Sequence, residues 1–158
     1  MSSIDAPPLH LQLMLDTNIL LDALLQREPH IAGWKALIAM QEFGDADLWV
    51  SVKSFTDVFY VASREADALA VQAAMLGLLE RMHACSIDED DIRAAIDARW
   101  DDFEDALVAR AAEKVRADVL VTRDTKGFAR AKTPAYTPIE LVEHLRDEYG
   151  VDYAGILR

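Results

Sequence analysis

The sequence predicts an α/β domain in which helices cover both faces of a parallel β-sheet. Short apolar segments alternate along the chain with longer segments of helical periodicity, a pattern typical of strands joined by crossover helices. Segments 48–50 and 119–122 are apolar without polar alternation, which indicates strands buried on both faces. The chain has 158 residues, a length that suits one domain with a full core.

The expected elements follow one another from the amino end. Five strands are predicted, at residues 11–15, 48–50, 83–87, 119–122 and 136–137. The predicted helices lie at 19–26, 29–43, 54–62, 66–82, 88–98, 102–116 and 138–149. Turn residues dominate 123–134, which we expect to form a loop. The domain would span 11–149, with a flexible leader at 1–10 and a tail at 150–158.

The composition indicates a protein of the reducing cytoplasm and argues against several classes of site. Cys85 is the only cysteine, so neither an internal disulfide nor a cysteine metal cluster can form. No apolar run approaches the ~20 residues of a membrane span, and the first ten residues lack the pattern of a secretion signal. The net charge is -12, so any contact with nucleic acid requires a local basic patch.

Familiar nucleotide and hydrolase motifs are missing from the sequence. It contains no G-x-G-x-x-G, no G-x-x-x-x-G-K-[ST] and no G-x-S-x-G. The four histidines are too far apart for zinc-ligand spacing. Any chemistry must therefore use oxygen ligands, and carboxylates with water suit Mg²⁺ or Mn²⁺.

Two aspartates follow strands directly. Asp16 comes after the first strand, and Asp124 comes two residues after Thr122. Ligand sites in parallel sheets lie at the carboxyl ends of strands, where the strand order reverses, so both positions are candidates for metal binding. The alternatives are a helix N-cap for Asp16 and an ordinary turn acid, paired with Arg123 or Lys126, for Asp124.

Two further aspartates lie at the starts of predicted helices. Asp105 belongs to W-D-D-F-E-D, where so many acids repel one another that a bound cation would relieve them. A favourable interaction with the helix dipole is the alternative. Asp57 follows Ser54 by three residues, which also fits a capping box.

The ordered set of these motifs resembles the PIN-domain family, and in particular its VapC-type toxin ribonucleases. The resemblance covers about residues 11–145 and rests on five segments, L-D-T-N-I-L-L-D, S-F-T-D-V-F-Y, D-F-E-D-A-L-V-A-R-A, V-L-V-T-R-D-T-K-G-F and P-I-E-L. It implies a three-layer α/β/α fold with a sheet of four or five strands. It also implies a metal-dependent endonuclease for single-stranded RNA, held inactive by an antitoxin partner.

The resemblance also assigns roles to particular residues. It implies that Asp16, Asp105 and Asp124 bind Mg²⁺ or Mn²⁺ and that Asp57 completes the catalytic set. Asp57 departs from the family, which usually has Glu there, so its contact with metal would be indirect. The accessory residues implied are Asn18, Glu104 and Thr122.

Four cations beside Asp124 are candidates for contacting RNA phosphates. This basic patch comprises Arg123, Lys126, Arg130 and Lys132, and a solvated loop is its alternative. Self-association is a further possibility, because the segment 71–79 is apolar enough for either a homodimer interface or the core.

Two other functions compete with the ribonuclease interpretation. A PIN-like module could bind RNA or protein without cutting. A phosphatase of the haloacid-dehalogenase type also starts with an acid after its first strand, but it needs a second Asp where this chain has Asn18.

Overall fold

The computed structural model describes residues 8–158 and contains a central sheet of five strands. The strands are β1 (Leu11–Leu15), β2 (Ala46–Ser51), β3 (His83–Cys85), β4 (Val119–Val121) and β5 (Ala135–Tyr136). They are hydrogen-bonded in the order β3-β2-β1-β4-β5, and every neighbouring pair is parallel. The predicted fold class and strand number are thereby confirmed.

Residues 8–158 form seven α-helices around the sheet. They are α1 (Thr17–Leu24), α2 (Ile31–Glu42), α3 (Val52–Ala62), α4 (Ala68–Arg81), α5 (Glu89–Asp97), α6 (Phe103–Lys114) and α7 (Pro138–Tyr149). Each lies within a few residues of the helix predicted there. Capping side chains fix several of the starts, such as Thr137, which forms a capping box with Glu140 at the start of α7.

The two faces of the sheet are covered by different helices. Leu13 and Leu15 of β1 belong to a large core shared with α1, α2 and α7. Met14, between them, packs on the opposite face with Leu120 and the alanines of α6. These three side chains have no exposed surface. Successive strand residues are therefore buried on opposite faces, which makes the fold three-layered.

Two local expectations need correction or comment. The capping box proposed for Ser54 and Asp57 is wrong, because α3 begins at Val52 and is capped by Ser51, so both residues lie inside the helix. The expected loop at 123–134 contains a short 3₁₀ helix, Thr125–Phe128. Its Phe128 side chain is buried in the core beside α6, which stabilises this compact conformation.

The two ends of the described chain pack against the domain. The leader predicted at 1–10 lies mostly outside the described residues, although the His10 ring contacts the Gly44 carbonyl and the Asp47 carboxylate. At the other end, Tyr153 is buried and hydrogen-bonded to the Asp45 carboxylate. A second 3₁₀ helix, Ala154–Leu157, follows it.

The apolar segment 71–79 divides between core and surface. Val71 and Leu78 are buried, whereas Leu76 and Leu79 are exposed. Among residues 8–158, no helix has both the length and the apolar character that crossing a membrane requires.

Candidate active site

The candidate site lies where the strand order of the sheet reverses. From β1 the chain adds β2 and β3 on one side, and β4 and β5 lie on the other side. The chain segments that leave the carboxyl ends of β1 and β4 therefore separate, and a crevice lies between them. Parallel sheets bind ligands in such a crevice. Asp16 follows β1 directly, and Asp124 follows β4 by three residues.

Asp16 is buried at the end of β1 and is held by two hydrogen bonds. Its Oδ1 accepts from the Thr17 amide at 2.8 Å, and its Oδ2 accepts from the Thr122 hydroxyl at 2.8 Å. Burial raises the pKa of Asp16, although both hydrogen bonds oppose that effect. The residue caps α1 and also faces the crevice, so the capping and ligand interpretations are compatible.

Thr122 connects the two strand ends. Its buried hydroxyl donates to Asp16 and accepts from the Asp124 amide at 3.0 Å. The Asn18 amide group lies 3.4 Å from the same hydroxyl oxygen. The hydroxyl thus fixes the orientation of Asp16 relative to the backbone of Asp124.

Asp105 and Asp124 both place a carboxylate oxygen close to Gly127. A Cβ atom built on Gly127 would lie 2.8 Å from Asp105 Oδ2 and 3.0 Å from Asp124 Oδ2. Asp105 lies in the first turn of α6, where Asp102 caps the helix by accepting from the Asp105 amide at 3.0 Å. Asp124 in turn accepts from the Gly127 amide at 3.3 Å. We call Asp16, Asp105 and Asp124 the carboxylate cluster.

Electrostatic repulsion is concentrated on Asp105. Burial, which has the largest effect, together with the charges of four neighbouring acids raises the pKa of Asp105 to about 7. In decreasing order of effect these acids are Asp102, Asp16, Asp124 and Glu104. A carboxyl whose pKa is raised towards neutrality by burial and by neighbouring acids marks a candidate functional site.

Comparison with known proteins shows the family to which this chain belongs. The family model of the PIN domain matches residues 12–126. The chain belongs to the PIN-domain family. The match contains most of β1 and the whole carboxylate cluster, and it ends one residue before Gly127. No curated protein matches the chain by sequence.

Solved structures with the same fold include toxin–antitoxin proteins. VapBC2 from Rickettsia felis, solved on a DNA fragment from its promoter, matches with 18% identity and a TM-score of 0.62, covering 80% of this chain and 98% of that one. A toxin–antitoxin complex from Klebsiella pneumoniae matches with 23% identity and a TM-score of 0.58, covering 79% and 96%. VapC20 from Mycobacterium tuberculosis, described as a sarcin–ricin loop cleaving toxin, matches with 14% identity and a TM-score of 0.56, covering 68% and 86%. At these identities the likeness shows the shared fold.

Asp57 also lies on the wall of the crevice, together with a lysine that the sequence analysis did not identify. Asp57 lines a cavity of about 220 Å³ with Asp16 and Asp105. The Lys53 ammonium lies 2.7 Å from Asp57 Oδ2 and 3.4 Å from Glu104 Oε1. Lys53 had no signal in the sequence, because the start of this helix was predicted at residue 54, whereas α3 begins at Val52.

The cavity between α3 and α6 has oxygen-rich walls. Besides the acids, it is lined by Asn18, Thr17 and Ser54, and the Thr17 hydroxyl donates to Ser54 Oγ at 3.0 Å. These hydroxyl groups were also missed, because Thr and Ser near helix starts are usually caps. Asn18 and Glu104, which the sequence analysis named as accessory residues, line the same cavity.

The donor set suits a hard divalent cation, although no complete cage is preformed. Among residues 8–158, no three His, Cys, Asp or Glu side chains are arranged to hold a metal ion. Mg²⁺ does not need such a cage, because it usually keeps several waters and binds one or two carboxylates together with substrate phosphates. The convergence of Asp105 and Asp124 on Gly127, and the raised pKa of Asp105, fit that mode of binding.

The predicted basic patch separates into two groups. The Arg123 guanidinium donates to the buried Asp22 carboxylate at 2.7 Å and faces a different cavity. Lys126 and Arg130 instead line a cavity of about 460 Å³ that has Asp105 on its wall. Arg130 also lines a neighbouring cavity with Lys132. Of the four predicted cations, Lys126 and Arg130 share a groove with Asp105 of the carboxylate cluster.

Proposed function

We propose that this PIN-domain protein is a metal-dependent endoribonuclease that cleaves single-stranded RNA. The convergence of the carboxylate cluster at the switch point of the sheet carries this proposal. Family membership supports it, because the match to the PIN domain includes these acids. Burial and neighbouring charges raise the pKa of Asp105 to about 7. A bound cation would relieve the repulsion between these acids.

Asp105 and Asp124 would hold Mg²⁺ or Mn²⁺ between them, and Asp16 would complete the set from the end of β1. The bound ion would supply an acidified water and neutralise charge on the phosphate. Thr122 keeps Asp16 oriented through its hydroxyl group. Asn18, beside it, lines the crevice and can contact substrate oxygens.

The substrate strand would enter along the groove that contains Lys126 and Arg130. This groove reaches Asp105, so phosphates that contact its cations would lie next to the carboxylate cluster. Such local contacts position a nucleic acid without reading its sequence. They also remove the difficulty posed by the net charge of -12, since only the local field matters at close range.

We further propose that the protein is the toxin of a toxin–antitoxin pair. Support comes from the VapBC2 and Klebsiella structures, which were solved as toxin–antitoxin complexes. An antitoxin encoded by a neighbouring gene would then bind this chain. Co-expression tests this role, because the neighbouring product should co-purify with the chain and suppress its nuclease activity.

A cleavage assay tests the enzymatic proposal. Labelled single-stranded RNA, single-stranded DNA and duplex RNA are incubated with the wild type in Mg²⁺, Mn²⁺ or EDTA. Cleavage of single-stranded RNA in either metal, its loss in EDTA and its loss in Asp16→Asn are the expected results. Equal cleavage by a folded Asp16→Asn variant would refute the assignment of the site.

The second candidate is a PIN-like module that binds RNA or protein without cutting. The ion pair of Asp57 with Lys53 favours it, because an acid at a family ligand position is engaged by an internal cation. RNA binding that survives in EDTA, with no cleavage in any metal, would support this alternative.

A further inference from the structure

Lys53 is the cation nearest to Asp57 in the candidate active site, and the fold holds it there on two sides. Its ammonium group lies 2.7 Å from Asp57 one turn later in α3 and 3.4 Å from Glu104 of α6. It lines the same cavity of about 220 Å³ as Asp16 and Asp105. The ion pair to Glu104 thus bridges the two walls of the crevice.

The position of Lys53 is costly in two ways. It lies in the first turn of α3, where the helix dipole repels a positive charge. Its side chain is also only 30% exposed, and the Asp57 side chain 27%, so both charges lose much of their hydration. An ordinary surface ion pair would not carry these two free-energy costs. They indicate that the ammonium group has a role in binding at the crevice.

We propose that Lys53 contacts a phosphate oxygen of the bound RNA, and that Asp57 positions Lys53 instead of binding the metal ion. This inference rests on the proposed function. It gives Asp57, the position at which the chain departs from its family, a role that the observed 2.7 Å contact supports directly. Asp57 is in this sense a positioning residue.

The charge arrangement explains why a lysine suits this place. Glu104, with a side chain 66% exposed, is a weak partner because solvent screens its charge. A phosphate entering the crevice can therefore replace Glu104 while Asp57 continues to hold the ammonium. The cation would then act as a fixed positive charge, and it would offset part of the repulsion between the RNA and the carboxylate cluster.

The inference predicts that Mn²⁺ affinity is kept while RNA cleavage falls. A folding defect would lower both. Lys53→Met removes a positive charge beside the cluster, so Mn²⁺ should bind at least as tightly as in the wild type by calorimetry. Its kcat/KM for single-stranded RNA should fall by about tenfold, the loss of one charge-assisted hydrogen bond. The dependence of log kcat/KM on log salt should become shallower by about one unit.

Asp57→Asn separates positioning from metal binding. Mn²⁺ affinity should stay within about threefold of the wild type, because only a screened charge is lost, whereas Asp16→Asn should lose Mn²⁺ binding. The double variant Lys53→Met with Asp57→Asn should be no worse in kcat/KM than Lys53→Met alone, because Asp57 acts through Lys53. Lys53→Arg, which keeps the charge, should recover part of the activity.

The controls distinguish failure of this inference from failure of the proposed function. Lys35→Met removes an exposed lysine of α2 that does not line the cavity, and it should behave as the wild type. Wild-type activity and salt dependence in Lys53→Met, or loss of Mn²⁺ binding in Asp57→Asn, would overturn the inference alone. A wild type that neither binds Mn²⁺ nor cleaves RNA would instead overturn the proposed function.

Discussion

The hydroxyl of Thr122 donates a hydrogen bond to Asp16 Oδ2 at 2.8 Å and so joins the ends of the neighbouring strands β1 and β4. Thr122 has no exposed surface, and only 7% of Asp16 is exposed. A carboxylate this deeply buried needs every available donor. The contact therefore links the stability of the fold to the orientation of the first acid of the site.

Thr122→Val should weaken both the fold and the cleavage reaction. Valine has the same shape but leaves Asp16 Oδ2 without its donor, so the free energy of unfolding should fall by about 1–3 kcal/mol. RNA cleavage should also fall, because Asp16 is no longer held. Chemical denaturation and a cleavage assay check this, and Thr122→Ser, which keeps the hydroxyl, is the control. Full stability and activity in Thr122→Val would contradict the role of the contact.

Gly127→Ala should damage the site by steric contact. The new methyl group would lie 2.8 Å from Asp105 Oδ2 and 3.0 Å from Asp124 Oδ2, so both carboxylates would have to move. Cleavage and Mn²⁺ affinity should fall by more than tenfold, about 1.4 kcal/mol in each free energy. Gly155→Ala, which places a methyl group in open space, is the matched control. Unchanged Mn²⁺ affinity in Gly127→Ala would show that these two acids do not share an ion.

Asp105→Asn should abolish cleavage while stabilising the metal-free protein at pH 8. Burial and neighbouring acids raise the pKa of Asp105 from 3.8 to about 7, so the ionised form destabilises the folded state. Because the carboxyl is partly exposed, solvent limits the gain to about 1 kcal/mol, or about 2–4 °C in Tm. Asp101→Asn removes an exposed acid nearby and should change Tm little.

The raised pKa of Asp105 also predicts how the stability of the folded state changes with pH. Between about pH 4 and 7 the folded state keeps a proton on Asp105 that the unfolded chain has lost. The contribution of Asp105 to stability therefore falls as pH rises through this window. In EDTA, the stability difference between wild type and Asp105→Asn should grow from pH 5 to pH 8. A difference that shrinks over this range would contradict the raised pKa.

Asp91 provides a test of stability away from the site. Its carboxylate has a side chain only 2% exposed and pairs with Arg110 at 3.0 Å and Lys114 at 2.7 Å. Although burial opposes them, the hydrogen bonds and charge of these partners hold the pKa of Asp91 well below its usual range. Its stabilising contribution is therefore present above about pH 4, the ordinary range of an aspartate, and is lost as pH falls further.

Asp91→Asn should lower the free energy of unfolding at pH 7 by about 1–3 kcal/mol, because the charge-assisted hydrogen bonds are weakened. Thermal denaturation at pH 7 and pH 3 measures the effect, and the difference from the wild type should narrow at the lower pH. Asp90→Asn, on the same helix turn, is the control. An equal difference at both pH values would contradict the linkage to this carboxylate.

Much of the fold could be predicted from the sequence because its signals are local. Apolar runs bounded by turn residues located β1 and β4, and Pro138 located the start of α7 within a residue. The start of α3 was misplaced, because Ser54 and Asp57 imitate a capping box while the true cap is Ser51. Local spacing cannot distinguish a cap from an interior position when both offer a hydroxyl group.

The candidate site was harder to predict from the sequence, because its contacts join distant parts of the chain. Arg123 was expected beside the substrate, yet it pairs with Asp22, which is buried in α1 and separated from it by about a hundred residues of sequence. Lys53 gave no signal, because its contact with Glu104 depends on how α3 and α6 face each other. Such pairings follow from tertiary packing, which periodicity does not encode.

Titration with Mn²⁺ tests the central claim of a carboxylate metal site most directly. Calorimetry on the wild type at pH 7.5 should show saturable binding, and Asp16→Asn, folded to the same extent by circular dichroism, should show none. Equal Mn²⁺ binding by both proteins, or none by the wild type, would contradict the claim that the carboxylate cluster at the ends of β1 and β4 binds a metal ion.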